Sequence, residues 1–113
     1  MYSIENNILK IEIDEQGAEL KRVFHRQHQM DYLWSGEPAY WGRTSPVLFP
    51  IVGTLKENTY YYDDNAYTLS RHGFAREKLF TVSEQAKDTI TFLLESTEDT
   101  RKVYPFPFRF FIR

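Results

Sequence analysis

The stretch Leu9-Lys10-Ile11-Glu12-Ile13-Asp14 alternates apolar and charged side chains with a period of two. That period predicts a half-buried β-strand, because successive side chains of a strand point to opposite faces of its sheet. Gly17 follows as a predicted turn. The apolar residues between Ala18 and Phe24 alternate less cleanly, and a β-bulge near Lys21-Arg22 would restore the pattern. This part of the chain therefore predicts an antiparallel strand pair.

Short β-rich runs separated by turn-forming residues continue along the chain. Asn58–Leu69 is predicted to be a hairpin around the turn triplet Asp63-Asp64-Asn65. The other predicted strands are Met30–Trp34, Leu79–Ser83, Thr89–Leu94 and Phe108–Ile112. Only Thr97–Val103 favours a helix, and it is barely two turns long. The pattern predicts an all-β fold, an antiparallel β-sandwich or barrel.

One apolar segment does not fit an ordinary strand or helix. Val47–Gly53 is apolar throughout, but Pro46 and Pro50 are poor residues for a central strand and for a helix interior. We predict a buried extended segment that runs along the edge of the fold.

Composition bounds the class of protein. The 113 residues carry 14 Lys+Arg and 16 Asp+Glu, a net charge of −2, which argues against nucleic acid as a partner. The absence of cysteine excludes disulfides and thiolate metal sites. No apolar run reaches the roughly 18 residues of a membrane span, and the chain start lacks a signal peptide pattern. We expect one cytoplasmic domain over residues 1–113, with no membrane partner.

The end of the chain is unusual, because it stops inside the apolar segment Phe108–Arg113 without a polar tail. We expect the N-terminal part of a longer fold, and the alternative is a short protein whose last strand is docked. A shortened sandwich would leave strand edges and apolar surface exposed, so self-association, such as a homodimer through sheet edges, is also expected.

Two polar loops carry the candidate binding residues. Arg71-His72-Gly73-Phe74-Ala75-Arg76 places two guanidinium groups and an imidazole around a glycine after a predicted strand. These groups suit a polyhydroxylated or anionic small molecule. In the second loop, Trp41 offers a flat apolar face and Arg43 a charged donor. The alternatives are a tight turn with solvated arginines for the first loop and core packing of Trp41 for the second.

Other chemical motifs are weak or missing. His25 and His28 are three residues apart, but no third metal ligand is evident, so they are interpreted as solvated surface side chains. The sequence holds no nucleophile elbow, phosphate loop or dinucleotide fingerprint, and no carboxylate pair stands out as acid and base.

The string from Ser45 to Gly53, followed by the loop from Arg71 to Arg76, resembles the aldose 1-epimerase (galactose mutarotase-like) superfamily. The resemblance is strongest to its LacX-type and glucose-6-phosphate 1-epimerase-like branch. Supporting matches are Gly17-Ala18-Glu19-Leu20, Tyr32-Leu33-Trp34 with Pro38 and Trp41, and Tyr104-Pro105-Phe106 with Phe108. The matches keep the order of the family over nearly the whole chain.

The resemblance implies a large antiparallel β-sandwich of the galactose-mutarotase type. It also implies interconversion of the α and β anomers of a hexose or hexose phosphate by acid/base ring opening, with no metal or organic cofactor. The alternative is a non-catalytic carbohydrate-binding or regulatory module on the same fold.

The residues that match the binding positions of the family are Arg43, His72 and Arg76. Arg71 stands where other members carry a different polar residue, and Thr54 stands where many LacX-type members carry an arginine. The resemblance places the catalytic histidine and glutamate of the family beyond Arg113, so no residue of this chain is assigned a catalytic role. The expected substrate-binding residues are Trp41, Arg43, Arg71, His72 and Arg76.

Overall fold

The computed structural model describes residues 1–113, which form nine β-strands and one short α-helix. The strands are β1 (Tyr2–Glu5), β2 (Leu9–Asp14), β3 (Glu19–His25), β4 (Met30–Asp31), β5 (Thr59–Tyr62), β6 (Asn65–Thr68), β7 (Thr81–Gln85), β8 (Ile90–Glu95) and β9 (Arg109–Ile112). The helix is α1 (Glu98–Val103), and 3₁₀ turns lie at Lys56–Asn58 and Ala75–Glu77.

All strand pairs are antiparallel, which confirms the predicted all-β class. The strands form a four-stranded sheet β1-β2-β3-β4, a two-stranded hairpin β5-β6 and a three-stranded sheet β7-β8-β9. The hairpin β5-β6 turns at Asp63 and Asp64, which both have positive φ, as a type I′ turn requires. The predicted strands Leu79–Ser83 and Thr89–Leu94 are present as the antiparallel pair β7-β8.

The predicted bulge near Lys21-Arg22 is confirmed, and it lies in β3. Glu12 of β2 pairs with Arg22 of β3, whereas the next residue, Ile13, pairs with Leu20, so Lys21 is the extra residue. A bulge re-aligns the apolar face on both sides of itself. Leu20 thereby packs against the core together with Ile13.

The core lies between the first and third sheets. Alternate residues of β8, Ile90, Phe92 and Leu94, pack with Ile13 and other buried residues in one cluster. The ring of Tyr2 meets the ring of Phe92 edge-on at 5.7 Å. The apolar stripe of the first sheet, predicted from its alternation, therefore faces the apolar stripe of the third.

Two predicted elements differ from the structure. The predicted strand Met30–Trp34 is present as β4 but ends at Asp31, and Tyr32 and Trp34 are exposed. The segment Val47–Gly53 is extended, but most of it is only half-buried and Val52 is 76 % exposed, so the prediction that it is buried is wrong for much of its length. None of the helices has the length and apolar character needed to cross a bilayer.

Candidate functional site

The loop around Gly73 is fixed by a close approach to the extended segment that contains Phe49. The carbonyl oxygen of Phe49 accepts hydrogen bonds from the amides of Phe74, at 2.9 Å, and Ala75, at 3.1 Å. Gly73 has a φ of +72°, and a Cβ at this position would overlap the Phe49 carbonyl and lie 2.6 Å from Cδ of Pro50. Only glycine fits here without strain.

A cluster of aromatic rings packs around Phe49. Its ring stacks on Phe110 of β9 at 4.4 Å and meets Phe108 at 5.2 Å and Phe74 at 6.0 Å. Aromatic pairs at these distances add to the stabilisation that comes from burial. The loop and the extended segment therefore pack together against the third sheet.

His72 is held by two hydrogen bonds to one residue, Gly53. The backbone N–H of His72 donates to the Gly53 carbonyl at 2.8 Å, and the Gly53 N–H donates to Nδ1 of His72 at 2.8 Å. Because Nδ1 accepts, a neutral imidazole carries its proton on Nε2. Nε–H of Arg71 also points at Nε2 from 3.2 Å, but a neutral imidazole accepts at only one nitrogen. We assign the acceptor role to Nδ1, because its contact with the Gly53 amide is shorter, so the Arg71 side chain must turn away for Nε2–H to donate to a ligand.

The charge state of His72 follows from its neighbours. Desolvation lowers the pKa of His72 below its usual value, and the positive charges of Arg71 and Arg76 lower it further. The imidazole is therefore neutral at pH 7. It presents an N–H donor to a ligand and not a positive charge.

The second loop is anchored by a buried carboxylate on β3. Glu19 is 5 % exposed, and its Oε1 accepts hydrogen bonds from the amides of Thr44, at 2.7 Å, and Ser45, at 3.1 Å. Its Oε2 pairs with Nζ of Lys21 at 3.0 Å. The hydroxyl of Ser45 donates to the carbonyl of Leu20 at 2.8 Å. These contacts fix the chain next to Arg43.

The ionised form of Glu19 is the stable one. Desolvation by itself raises the pKa of Glu19, but the amide of Thr44, the ammonium of Lys21 and the amide of Ser45 outweigh it, so the pKa is lowered overall. The carboxylate therefore stays charged and keeps its hydrogen bonds at neutral pH.

Glu77 brings two of the three arginines of the site together. Nη2 of Arg43 forms a direct ion pair with Oε1 of Glu77, and Nε of Arg76 lies 3.7 Å from the same oxygen. Nη2 of Arg76 also donates to the carbonyl of Arg71 at 3.1 Å, whereas its buried Nε has no hydrogen bond.

All five predicted binding residues line one cleft. It has a volume of about 540 Å³, and its lining residues are Trp41, Arg43, Pro46, Leu48, Arg71, His72 and Arg76. No carboxylate is among them. The cleft combines guanidinium donors, a neutral imidazole N–H donor and an apolar aromatic side chain, which is the mixture that binds sugar hydroxyls and ring faces.

A second cleft adjoins the first across Trp41, Arg43 and Arg76. Its volume is about 570 Å³, and it is lined also by Asp14, Gln16, Glu19, Lys21 and Gly42. Trp41 is half-exposed, so it is not the core residue that the alternative interpretation required.

The histidine pair outside the loops is a surface feature. The rings of His25 and His28 stack at 4.1 Å, and His28 is exposed. No group of three His, Cys, Asp or Glu side chains in the structure could hold a metal ion.

Sequence reasoning missed Glu19 and Glu77 as residues that shape the site. Their partners Thr44 and Arg43 lie 25 and 34 positions away in the chain, so no local pattern reveals the contacts. Two signals were available: Glu77 directly follows Arg76, and Glu19 belongs to the matched string from Gly17 to Leu20.

Comparison with known proteins places this architecture in a family. A sequence model of the aldose 1-epimerase family matches residues 1–113, so the chain belongs to that family. It is 29 % identical over 110 residues to the chromosomal LacX protein of Lactococcus lactis subsp. lactis, an alignment that covers 93 % of this chain and 36 % of LacX.

Solved structures agree with this assignment. A galactose mutarotase related enzyme from Lactobacillus acidophilus superposes with a TM-score of 0.94 at 48 % identity, covering 97 % of this chain and 37 % of that one. A galactose mutarotase-like protein from Lactobacillus casei gives 0.94 at 34 % identity, covering 98 % and 38 %. The predicted galactose-mutarotase type of fold is thus confirmed, and the chain spans little more than a third of the relatives it matches.

Proposed function

We propose that the cleft lined by Trp41, Arg43, Arg71, His72 and Arg76 binds a hexose or hexose phosphate, as the substrate-binding part of an aldose 1-epimerase. The observation that carries the proposal is that two loops about 30 residues apart place all five side chains on one cleft. Family membership supports the substrate class.

Each kind of side chain in the cleft recognises a different part of the ligand. Nε2–H of His72 donates to a sugar hydroxyl, and the guanidinium groups donate to hydroxyls or to phosphoryl oxygens. The face of Trp41 packs on the C–H surface of a sugar ring. Because His72 is neutral, only the arginines distinguish a charged ligand from an uncharged one.

Anomer exchange requires two proton transfers. A base takes the proton of the anomeric hydroxyl while an acid protonates the ring oxygen, the C1–O5 bond breaks, the aldehyde rotates, and the ring closes with the protons returned. No carboxylate lines the cleft, and Nδ1 of His72 is occupied by the Gly53 amide. The 113-residue chain is therefore expected to bind the sugar and not to accelerate its ring opening.

A second candidate is a carbohydrate-binding or regulatory module without catalysis. The cleft without a carboxylate favours it, since binding needs donors and a stacking face but no base. The two candidates differ in whether a general acid and base supplied by other groups complete this cleft.

Anomer exchange measured by NMR or polarimetry tests the proposal. Glucose, galactose and their 6-phosphates are each added to the chain and to its Arg76→Gln variant. We expect saturable binding of at least one sugar, weaker binding by the variant, and an exchange rate equal to that in buffer. Rapid exchange would show that the base lies within these residues, and the absence of binding by all four sugars would contradict the proposal.

A further inference from the structure

Glu77 lines neither cleft, yet its carboxylate contacts two guanidinium groups that line both. It pairs directly with Arg43 and lies 3.7 Å from Nε of Arg76. Its side chain is 53 % exposed, so the contact is open to water and to ions. A negative charge of the protein therefore lies in contact with two of the arginines that line the cleft.

A carboxylate and a phosphoryl group use the same donors on a guanidinium group. Three arginines line the cleft without a carboxylate among its lining residues, so the cleft itself attracts anions. Glu77 offsets that attraction in two ways, by occupying an Nη2 donor of Arg43 and by adding a negative charge near Arg76. A neutral sugar hydroxyl competes for the same Nη2 donor, but it is insensitive to the added negative charge because it carries no net charge.

We propose that Glu77 is an internal counter-ion that sets the preference of this cleft between neutral hexoses and hexose phosphates. The inference rests on the proposed function, and it names the residue that decides the substrate class within it. With Glu77 ionised, the cleft still binds neutral sugars, but its affinity for phosphate is lower than the three arginines alone would give. A phosphorylated ligand must compete with this carboxylate for Arg43.

A purely structural role for Glu77 makes a different prediction. If the carboxylate only positioned Arg43, its loss would weaken the binding of neutral and charged ligands alike. Glu77→Gln separates the two roles, because the amide oxygen still accepts from the guanidinium group while the negative charge is gone.

The matched control is Glu95→Gln. Glu95 pairs with Arg109 at 3.2 Å in another surface ion pair, lines neither cleft, and its replacement changes the net charge by the same amount. Each variant of the full 113-residue chain is titrated with glucose, glucose 6-phosphate and inorganic phosphate. Dissociation constants are measured by NMR at low ionic strength and again at about 0.5 M salt, where charges are strongly screened.

We expect Glu77→Gln to bind phosphate and glucose 6-phosphate about 1.5- to fivefold more tightly, the range that exposed ion pairs produce. Glucose binding stays unchanged, the control variant matches the wild type, and the gain shrinks at high salt. An equal loss for all three ligands, an unchanged phosphate affinity, or the same gain in Glu95→Gln would overturn the inference.

The inference and the proposed function can fail separately. Glucose binding by the wild type with no effect of Glu77→Gln on phosphate would refute the counter-ion and leave the sugar cleft in place. A gain for inorganic phosphate with no binding of either sugar would support the counter-ion and refute the sugar cleft.

Discussion

The lowered pKa of His72 makes the free energy of unfolding depend on pH. Desolvation, Arg71 and Arg76 lower its pKa below the usual 6.5, so the unfolded chain takes up the proton first as pH falls. The free energy of unfolding should therefore be unaffected by His72 above about pH 6.5 and decrease below it. Protonation also ends the ability of Nδ1 to accept from the Gly53 amide.

An NMR titration of the imidazole of His72 measures this directly, and the expected midpoint lies below 6.5. Unfolding of the His72→Asn variant, compared at the same pH values, should lack this part of the pH dependence. A midpoint at or above 6.5 would contradict the described environment.

Gly73 should tolerate substitution far less than Gly53. Both have positive φ, but a Cβ at Gly73 meets the backbone of Phe49 whereas a Cβ at Gly53 meets nothing within 4 Å. We expect Gly73→Ala to lower the free energy of unfolding by about 2–4 kcal/mol and Gly53→Ala by about 1–2 kcal/mol, the backbone strain alone. Urea unfolding of the two variants is the measurement, and equal losses would show that the close approach does not matter.

The types of the site residues were visible in the sequence, but their chemical states were not. Arg43, His72 and Arg76 stood out as donors in loops, and the fold places them on one cleft. The protonated nitrogen of His72 depends on the amide of Gly53, 19 residues away. Such a contact exists only once the two segments have come together.

Among the structural elements, the loop that presents Trp41 and Arg43 depends on Glu19. Replacing Glu19 with alanine leaves the amide of the buried Thr44 without an acceptor and Lys21 without its partner. We expect a loss of about 1–3 kcal/mol in urea unfolding and a smaller loss for Glu19→Gln, which keeps an acceptor. Glu84→Ala, at an exposed carboxylate without an ion pair, is the control.

The same contacts predict sensitivity to acid. Because the pKa of Glu19 is lowered in the folded chain, its stabilisation is fully present above about pH 4.5 and is lost as pH falls through the lower, folded pKa. Glu19→Gln should flatten that decline. An unchanged acid profile would mean that the carboxylate does not hold the loop.

Elements with a strict period of two were predictable, and elements shaped by loops were not. The alternation in Leu9–Asp14 and the irregularity at Lys21 both correspond to backbone geometry in the structure. Met30–Trp34 reads as a strand by composition, but the indole N–H of Trp34 donates to the carbonyl of Trp41 at 2.9 Å. Trp34 thus contacts the loop, whereas the amide of Tyr32 still donates to the carbonyl of Val23 in β3, and β4 ends at Asp31.

The molecule as a whole is flat and open. Its dimensions are 56 × 34 × 15 Å and its radius of gyration is 16.6 Å, against about 13 Å for a compact chain of this length. Its accessible surface is 7693 Å², against about 6,500 Å² expected from its mass. An apolar groove of about 310 Å³ opens between the first and third sheets, lined by Ile4, Ile11, Phe92 and Ile112 among others.

This open shape predicts self-association of the 113-residue chain. Exposed apolar surface and free strand edges favour pairing between copies. Sedimentation velocity over a range of concentrations should show dimers or larger species, and Ile11→Lys, which places a charge in the groove, should reduce them. Self-association that Ile11→Lys leaves intact would point to the strand edges instead, and a monomer at all concentrations would contradict the prediction.

The two separate loops are proposed to form one sugar-binding cleft. An NMR titration with glucose and galactose, observing the indole N–H of Trp41, the Nε–H of Arg43 and Arg76 and the imidazole of His72, tests it most directly. We expect these signals to shift together and to saturate at one common dissociation constant. Sugar binding that leaves them unmoved, or that shifts signals of only one loop, would contradict it.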